Sequence, residues 1–308
     1  MRIVYLGTPD FSVEPLKRIV ENTTHQVIAV VCNKDKPVGR KKILTAPPVK
    51  VYATENNIPV YQYDKIRLEG VEDLKNLAPD LMITCAFGQI LSQEIIDIPK
   101  LGVINIHASL LPKYRGASPI HYAILNGEKQ TGITIMKTDK GIDTGDVLFS
   151  EKIDIGERET CGQLFDRLSI LGADCIEKAL DLIESGNALF TPQDNQNATY
   201  SKIIKKEDAL IDFSKSAKQV FNQVRAFNPA PVAFTYFNGE PFKIYECEVV
   251  SFSGTPGQVL DNDKKLVVAC GDGAISLLKV QKSGGKPVVI KDFLLGNKIE
   301  TGYVFKND

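Results

Sequence analysis

Asn105 and His107 stand two residues apart in a run that opens with Val103 and Ile104. In an extended strand such positions face the same way, so the amide and the imidazole lean over one cavity wall. The chain then turns through Ser109, Leu110, Leu111 and Pro112, whose backbone N–H and C=O groups can read a heterocycle. Further on, the loop Gly141-Ile-Asp-Thr-Gly-Asp146 is able to bring Asp143 to the imidazole. An amide donor, an imidazole and a carboxylate are the parts of an acyl-transfer site, with donors for a developing oxyanion and groups that move a proton.

The chain has 3 histidines, and their settings differ. His107 is expected at the C-terminal end of a parallel strand, where α/β folds place ligands. His25, in polar surroundings after Thr23 and Thr24, is expected on the surface. His121, in a helical stretch from Pro119 to Leu125, is expected to pack.

Such a site needs elements to hold it. Apolar runs at Ile3 to Leu6, Val27 to Cys32, Leu81 to Cys85 and Val103 to His107 read as strands. Helical spacing separates them, at Phe11 to Val20 and Val49 to Asn56. Short apolar strands alternating with helices indicate a parallel sheet covered on both faces. Val147 to Ile155 adds a strand, and Cys161 to Ser185 a long helix. Thr191 to Thr199 is polar and reads as a linker. A helix at Ala217 to Ala226 follows. Short strands punctuated by Asn238-Gly239, Ser253-Gly254, Asp272-Gly273 and Gly284-Gly285 then describe a small β-barrel or sandwich. The expected division is a first domain over 1–189, a linker over 190–206 and a second domain over 207–308.

Composition sets bounds. With 308 residues, 43% hydrophobic and 24% charged, the chain can build two ordinary cores. A net charge of -1 argues against a wholesale polyanion binder and leaves room for a local basic patch. The 6 cysteines form no C-x-x-C pair and read as reduced structural thiols. No Cys/His cluster has metal-ligand spacing, so no metal is expected. The N-terminus enters a strand at once, without a secretory signal, and no run is long enough to span a membrane. The expectation is a cytoplasmic protein.

Two further segments invite a ligand. The turn Gly7-Thr-Pro-Asp-Phe-Ser12 follows the first strand and opens a helix. It reads either as substrate contact or as a simple β-to-α turn capped by Ser12. Between Asn33 and Pro48, Lys34, Lys36, Arg40, Lys41 and Lys42 oppose only Asp35. Pro37, Gly39, Pro47 and Pro48 are expected to prevent regular structure there. Such a segment can grip phosphates, although a solvated surface loop is the plainer reading.

Taken together, Asn105-x-His107, Ser109-Leu-Leu-Pro112, Tyr114-Arg-Gly116 and Asp143-Thr-Gly-Asp146 resemble the formyltransferase family that uses 10-formyltetrahydrofolate. The turn Gly7 to Ser12, the basic insertion Asp35 to Lys42 and the run Pro48-Val-Lys50 narrow the likeness to members that act on tRNA. Arg225-Ala-Phe-Asn-Pro229 and Gly271-Asp-Gly273 extend it into the second half, so it runs from Met1 to about Val304. One departure is Ala230, where the family often has tryptophan after the Asn-Pro pair.

The resemblance implies a Rossmann-like, mostly parallel sheet with helices on both faces, followed by a small OB-like β-barrel that binds tRNA. It implies formyl transfer from 10-formyltetrahydrofolate, the co-substrate, to the α-amino group of methionine on initiator tRNA, for translation initiation. Asn105 and His107 would donate to the oxyanion, and Asp143 would help move a proton off the attacking amine. Ser109, Leu110, Leu111 and Pro112 would line the folate pocket, with backbone near Phe87, Gly88 and Ile90 against the pterin. For Phe87 to Ile90 a plain β-to-α turn fits equally. Arg40 would enter near the acceptor end, with Lys34, Lys41 and Lys42 on phosphates. Nothing calls for an obligate partner surface, so a monomer is expected. The nearest rival is a formyltransferase acting on an amino sugar nucleotide. A non-catalytic RNA-binding module would leave Asn105, His107 and Asp143 unexplained.

Overall fold

Apolar strands that show no in–out alternation need cover on both faces, and the first half of the chain supplies it. The computed structural model describes residues 1–39 and 41–305. Seven of its strands are β1 (Arg2–Gly7), β2 (Gln26–Cys32), β3 (Val60–Gln62), β4 (Leu81–Cys85), β5 (Val103–His107), β6 (Gln130–Lys137) and β7 (Val147–Asp154). They form one sheet in the order β7-β6-β5-β4-β1-β2-β3. From β5 through β3 every neighbouring pair is parallel. β6 and β7 join antiparallel at the other edge. β6 is not among the expected strands, yet its Ile133 and Ile135 are fully buried.

Val4, Leu6, Ala29, Val31, Met82 and Val103 pack on one face against Ile66, Leu74 and Ile95 of short helices. The other face meets the long helix Cys161–Glu184, where a Cβ added at Gly172 would lie 3.3 Å from Ile106. Since β5 alternates sides, Asn105 and His107 point the same way as Val103. Among the described residues no helix is long and apolar enough to cross a membrane.

The chain divides into two compact units. The first comprises 1–119, 130–154 and 165–202, and the second 120–129, 155–164 and 203–308. Residues 190–202, expected in the linker, therefore belong with the first unit. Their polarity has a local use: Asp194 accepts the Gln196 N–H at 3.0 Å and the Asn197 amide at 2.7 Å. Their backbone is tied down as well. Thr191 and Val147 exchange two hydrogen bonds of 2.8 and 2.9 Å, and Tyr200–Ser201 pairs in parallel with Arg115–Gly116.

In the second unit the helix Ala217–Ala226 starts at a capping box of Ser216 and Gln219. The expected barrel-like texture is an antiparallel sheet curled into a half-barrel. Its strands are β8 (Phe234–Phe237), β9 (Glu240–Val250), β10 (Val259–Asp261), β11 (Leu266–Ala269), β12 (Ala274–Lys282) and β13 (Val288–Val289). Their order is β8-β9-β12-β11-β10, with β13 on β12. Asn238 (φ 51°) and Gly239 (φ 77°) turn β8 into β9, the left-handed pair a two-residue hairpin requires. Phe237, Phe242, Phe293, Tyr303 and Phe305 pack on one another with ring contacts of 5.2 to 6.4 Å.

Candidate active site

Pairing of β4 with β5 sets Thr84 opposite Asn105, and pairing of β5 with β6 sets His107 opposite Thr134. The Thr84 hydroxyl donates to Asn105 Oδ1 at 2.9 Å. That turns the amide nitrogen toward Asp143, and Asn105 Nδ2 donates to Asp143 Oδ1 at 3.3 Å. The other carboxylate oxygen accepts the Gly116 N–H at 2.7 Å and lies 3.6 Å from His107 Nδ1. His107 Nε2 is 3.0 Å from the Tyr114 carbonyl oxygen. A carbonyl only accepts, so Nε2 carries a proton and Nδ1 is the atom that faces the carboxylate.

The structure thus brings Asn105, His107 and Asp143 together. The imidazole is enclosed and the carboxylate less so, their side chains being 6% and 18% exposed. Asp143 itself has φ 53°, a left-handed conformation that a non-glycine residue holds only when its surroundings require it. The cluster offers one amide N–H to spare, an imidazole and a carboxylate in mutual contact. That set can stabilise an oxyanion and take up a proton.

Ser109 to Pro112 differ from expectation in what they offer. The Ser109 hydroxyl donates to Lys113 O at 2.6 Å, and Ser109 O accepts from Thr134 at 2.7 Å. Leu111 N donates to Thr134 Oγ1 at 3.2 Å, and Pro112 O accepts the Thr199 N–H at 3.3 Å. These backbone groups hold the loop, and the side chains of Leu110, Leu111 and Pro112 are half-buried. Phe87 is buried, and its carbonyl accepts from Thr8 at 3.3 Å and Asn33 at 3.1 Å. Gly88 and Ile90 are exposed just past the C-terminal end of β4.

The basic segment is not irregular, as its prolines and glycine suggested. Lys36–Val38 and Ile43–Thr45 form an antiparallel hairpin in which Pro37 pairs with Leu44. A two-stranded ribbon has two open edges, so the N–H that proline lacks need not be missed. Gly39 (φ 71°) and Lys42 (φ 48°) make the turn. Lys41 and Lys42 are exposed, while Lys34 pairs with Asp64 at 2.5 Å. Arg40 lies outside the described residues.

Two other expectations need correction. His25 is buried, not on the surface: its Nδ1 lies 3.3 Å from the Met1 amine and 3.8 Å from Glu184. Burial pushes its pKa below the ordinary value. Ser12 does not cap the helix Val13–Asn22 but donates its hydroxyl to the Cys85 carbonyl. His121 packs, with its ring 6.3 Å from that of Phe227. All 6 cysteines are buried and unpaired, and burial pushes the Cys32 thiol up to about 11 and Cys161 to about 12. Among the described residues no group of three or more His, Cys, Asp or Glu is placed to hold a metal ion.

The sequence places Arg115 and Gly116 in the family motif without a role for either, and it gives no role to Thr84 or Gln193. Thr84 left one trace, a lone hydroxyl in an otherwise apolar strand. Arg115 is 2% exposed and donates to the amide oxygens of Gln193 and Asn195. Gln193 in turn donates to the backbone carbonyls of Asp143 and Gly145 at 2.9 and 2.7 Å.

Comparison with known proteins gives the geometry a context. The family profile described as formyl transferase matches residues 1–180, and that of its C-terminal domain matches 203–298. A methionyl-tRNA formyltransferase of Ruminiclostridium cellulolyticum is 44% identical, covering 98% of each chain. One from Streptococcus uberis is 46% identical over 99% of each. Among solved structures, an N-formyltransferase from Helicobacter canadensis, in complex with folinic acid and dTDP-3-aminofucose, superposes with a TM-score of 0.68. It shares 24% identity over 91% of this chain and 98% of its own, and so speaks to the fold.

Proposed function

The chain belongs to the formyl transferase family, and we propose that Asn105, His107 and Asp143 are the residues with which it does its chemistry. The reaction is transfer of the formyl group of 10-formyltetrahydrofolate to the α-amino group of methionine on initiator tRNA, the step that prepares this tRNA for translation initiation. Near-full-length identity of 44% and 46% to relatives named for that activity supports the substrates. The observation that carries the site is the contact of Asn105 and His107 with one carboxylate, Asp143.

In this reading the amine attacks the formyl carbon, an N–C bond forms, and the carbonyl oxygen gains negative charge. The Asn105 amide has a second N–H beyond the one given to Asp143, and a preorganised donor of that kind contributes about 3 kcal/mol to the transition state. Asp143 takes the proton released by the amine, directly or through water. Its contact with His107 holds the imidazole in register, and a protonated imidazole adds a positive charge beside the oxyanion. The bond from the formyl carbon to the folate nitrogen then breaks, and that nitrogen recovers a proton. Leu110, Leu111 and Pro112 line the folate pocket, and the exposed turn at Gly88 and Ile90 meets the pterin.

Lys41, Lys42 and Arg40 engage the tRNA acceptor end, Lys34 contributes less because Asp64 already holds it, and the second unit binds the tRNA body. The chain is expected to act as a monomer. Six unpaired thiols fit a reducing cytoplasm. The test is incubation with 10-formyltetrahydrofolate and methionyl initiator tRNA, following tetrahydrofolate release. Turnover with an amino sugar nucleotide in place of the tRNA would overturn the acceptor assignment.

A further inference from the structure

We infer that Gln193 is a positioning residue for formyl transfer, fixing the backbone on which Asp143 is carried; this rests on the proposed role of Asp143. The amide is saturated. Oε1 accepts from Arg115 Nε at 3.1 Å and from Arg115 Nη2 at 2.8 Å. Nε2 donates to Asp143 O at 2.9 Å and to Gly145 O at 2.7 Å. The amide's orientation follows from its partners, because a guanidinium only donates and carbonyls only accept.

The place of Arg115 in the chain gives this its consequence. Its neighbour Tyr114 supplies the carbonyl that holds His107, and its neighbour Gly116 supplies the N–H that holds Asp143. The buried guanidinium therefore anchors the backbone from which both groups are steadied. Gln193 ties that anchor to the left-handed turn at Asp143. One side chain thus fixes two loops, Tyr114 to Gly116 and Asp143 to Gly145, relative to each other. The flanking residues add to this, Thr191 pairing with Val147 at the start of β7 and Thr199 accepting from Tyr114 N at 2.9 Å and Arg115 N at 2.9 Å. A segment that reads as a polar linker is a brace across the site.

Such a brace acts on turnover more than on binding, since a misplaced reactive group costs rate. The test compares Gln193→Leu, Gln193→Glu and Asp143→Asn, singly and combined, by single-turnover rate, KM for each substrate and thermal midpoint. Gln193→Leu should slow the step by about tenfold or more, with both KM values within about twofold. Gln193→Glu keeps an acceptor for Arg115 and loses the donors to the two carbonyls. It should fold and be slowed to a similar degree even if the leucine variant does not fold. On the Asp143→Asn background, replacing Gln193 should cost less than about twofold more, because the group it positions is gone. A folded variant at the normal rate, or the same fold-loss on both backgrounds, overturns the inference. A normal rate for Asp143→Asn alone overturns the assignment of Asp143 and this inference with it.

Discussion

His107 Nδ1 lies 3.6 Å from Asp143 Oδ2, an oxygen already holding the Gly116 N–H at 2.7 Å. The carboxylate therefore faces the imidazole while its position is set by backbone. It can exchange a proton without losing its place. Replacing Asp143 with Asn keeps the shape and removes the proton acceptor. Turnover should fall by about a hundredfold or more, with folate affinity retained. Steady-state kinetics with a folate-binding titration checks this; a rate within twofold of the parent would remove the role.

Thr84 orients Asn105 through a 2.9 Å hydrogen bond to its amide oxygen. Thr84→Val deletes the hydroxyl and keeps the volume. The freed amide can then rotate, so turnover should drop by roughly fivefold to tenfold, the worth of one hydrogen bond. Unchanged kinetics in a folded Thr84→Val protein would show that the Asp143 contact suffices to hold the amide.

Gly116 has φ 103°, and a Cβ there would come 2.5 Å from the Ser201 backbone carbonyl oxygen. Neither strain is relieved by trimming a side chain. Gly116→Ala should cost about 1–3 kcal/mol of stability and shift the N–H that Asp143 depends on. A lower thermal midpoint accompanied by slower turnover is the expected pair of results, and a variant with parental values in both would contradict it.

Lys41 and Lys42 stand exposed at the hairpin turn, whereas Lys34 is held by Asp64, which also raises its pKa. Removing a phosphate contact reduces the slope of log affinity against log salt by about 1. Lys41→Ala and Lys42→Ala should each do so, and Lys34→Ala less. Binding titrations with initiator tRNA at several salt concentrations decide it. A steep slope unchanged in all three variants would move the contact elsewhere.

Burial lowers the pKa of His121 below its ordinary 6.5. The unfolded chain then binds the proton more readily than the folded one. Stability is at its full value above about pH 6.5 and is lost as pH falls from there toward the lower folded value. His121→Phe keeps a ring against Phe227 and removes this term. Thermal midpoints at about pH 7.5 and 5.5 should therefore fall less for the variant than for the parent. Equal falls would mean that His121 does not titrate differently on folding.

Much of the fold can be read from local pattern. Unbroken apolar runs at β1 and β4 mark strands covered on both faces, and the helix Ala217–Ala226 is bounded as its sequence suggests. β6 escaped because Gln130, Thr131 and Gly132 open it with no apolar signal, and its pairing with β5 and β7 supplies what the pattern lacks. The hairpin in the basic segment escaped because prolines count against strands, yet an edge position tolerates them. His25 sits among threonines in the chain, and only the fold brings Met1 and Glu184 to it.

The sequence by itself determined the strand and helix alternation, the shared face of Asn105 and His107, and the family of chemistry their types allow. These depend on spacings of two to four residues, over which backbone geometry is nearly fixed. The tertiary structure decided which groups hold which. Asn105 and Asp143 are 38 residues apart and Gln193 and Asp143 are 50 apart, and no local periodicity encodes such a meeting. It is settled when strands pair and the turns at their ends must satisfy their buried polar groups. That is how a stretch with the composition of a linker came to carry the amide that holds the carboxylate in place.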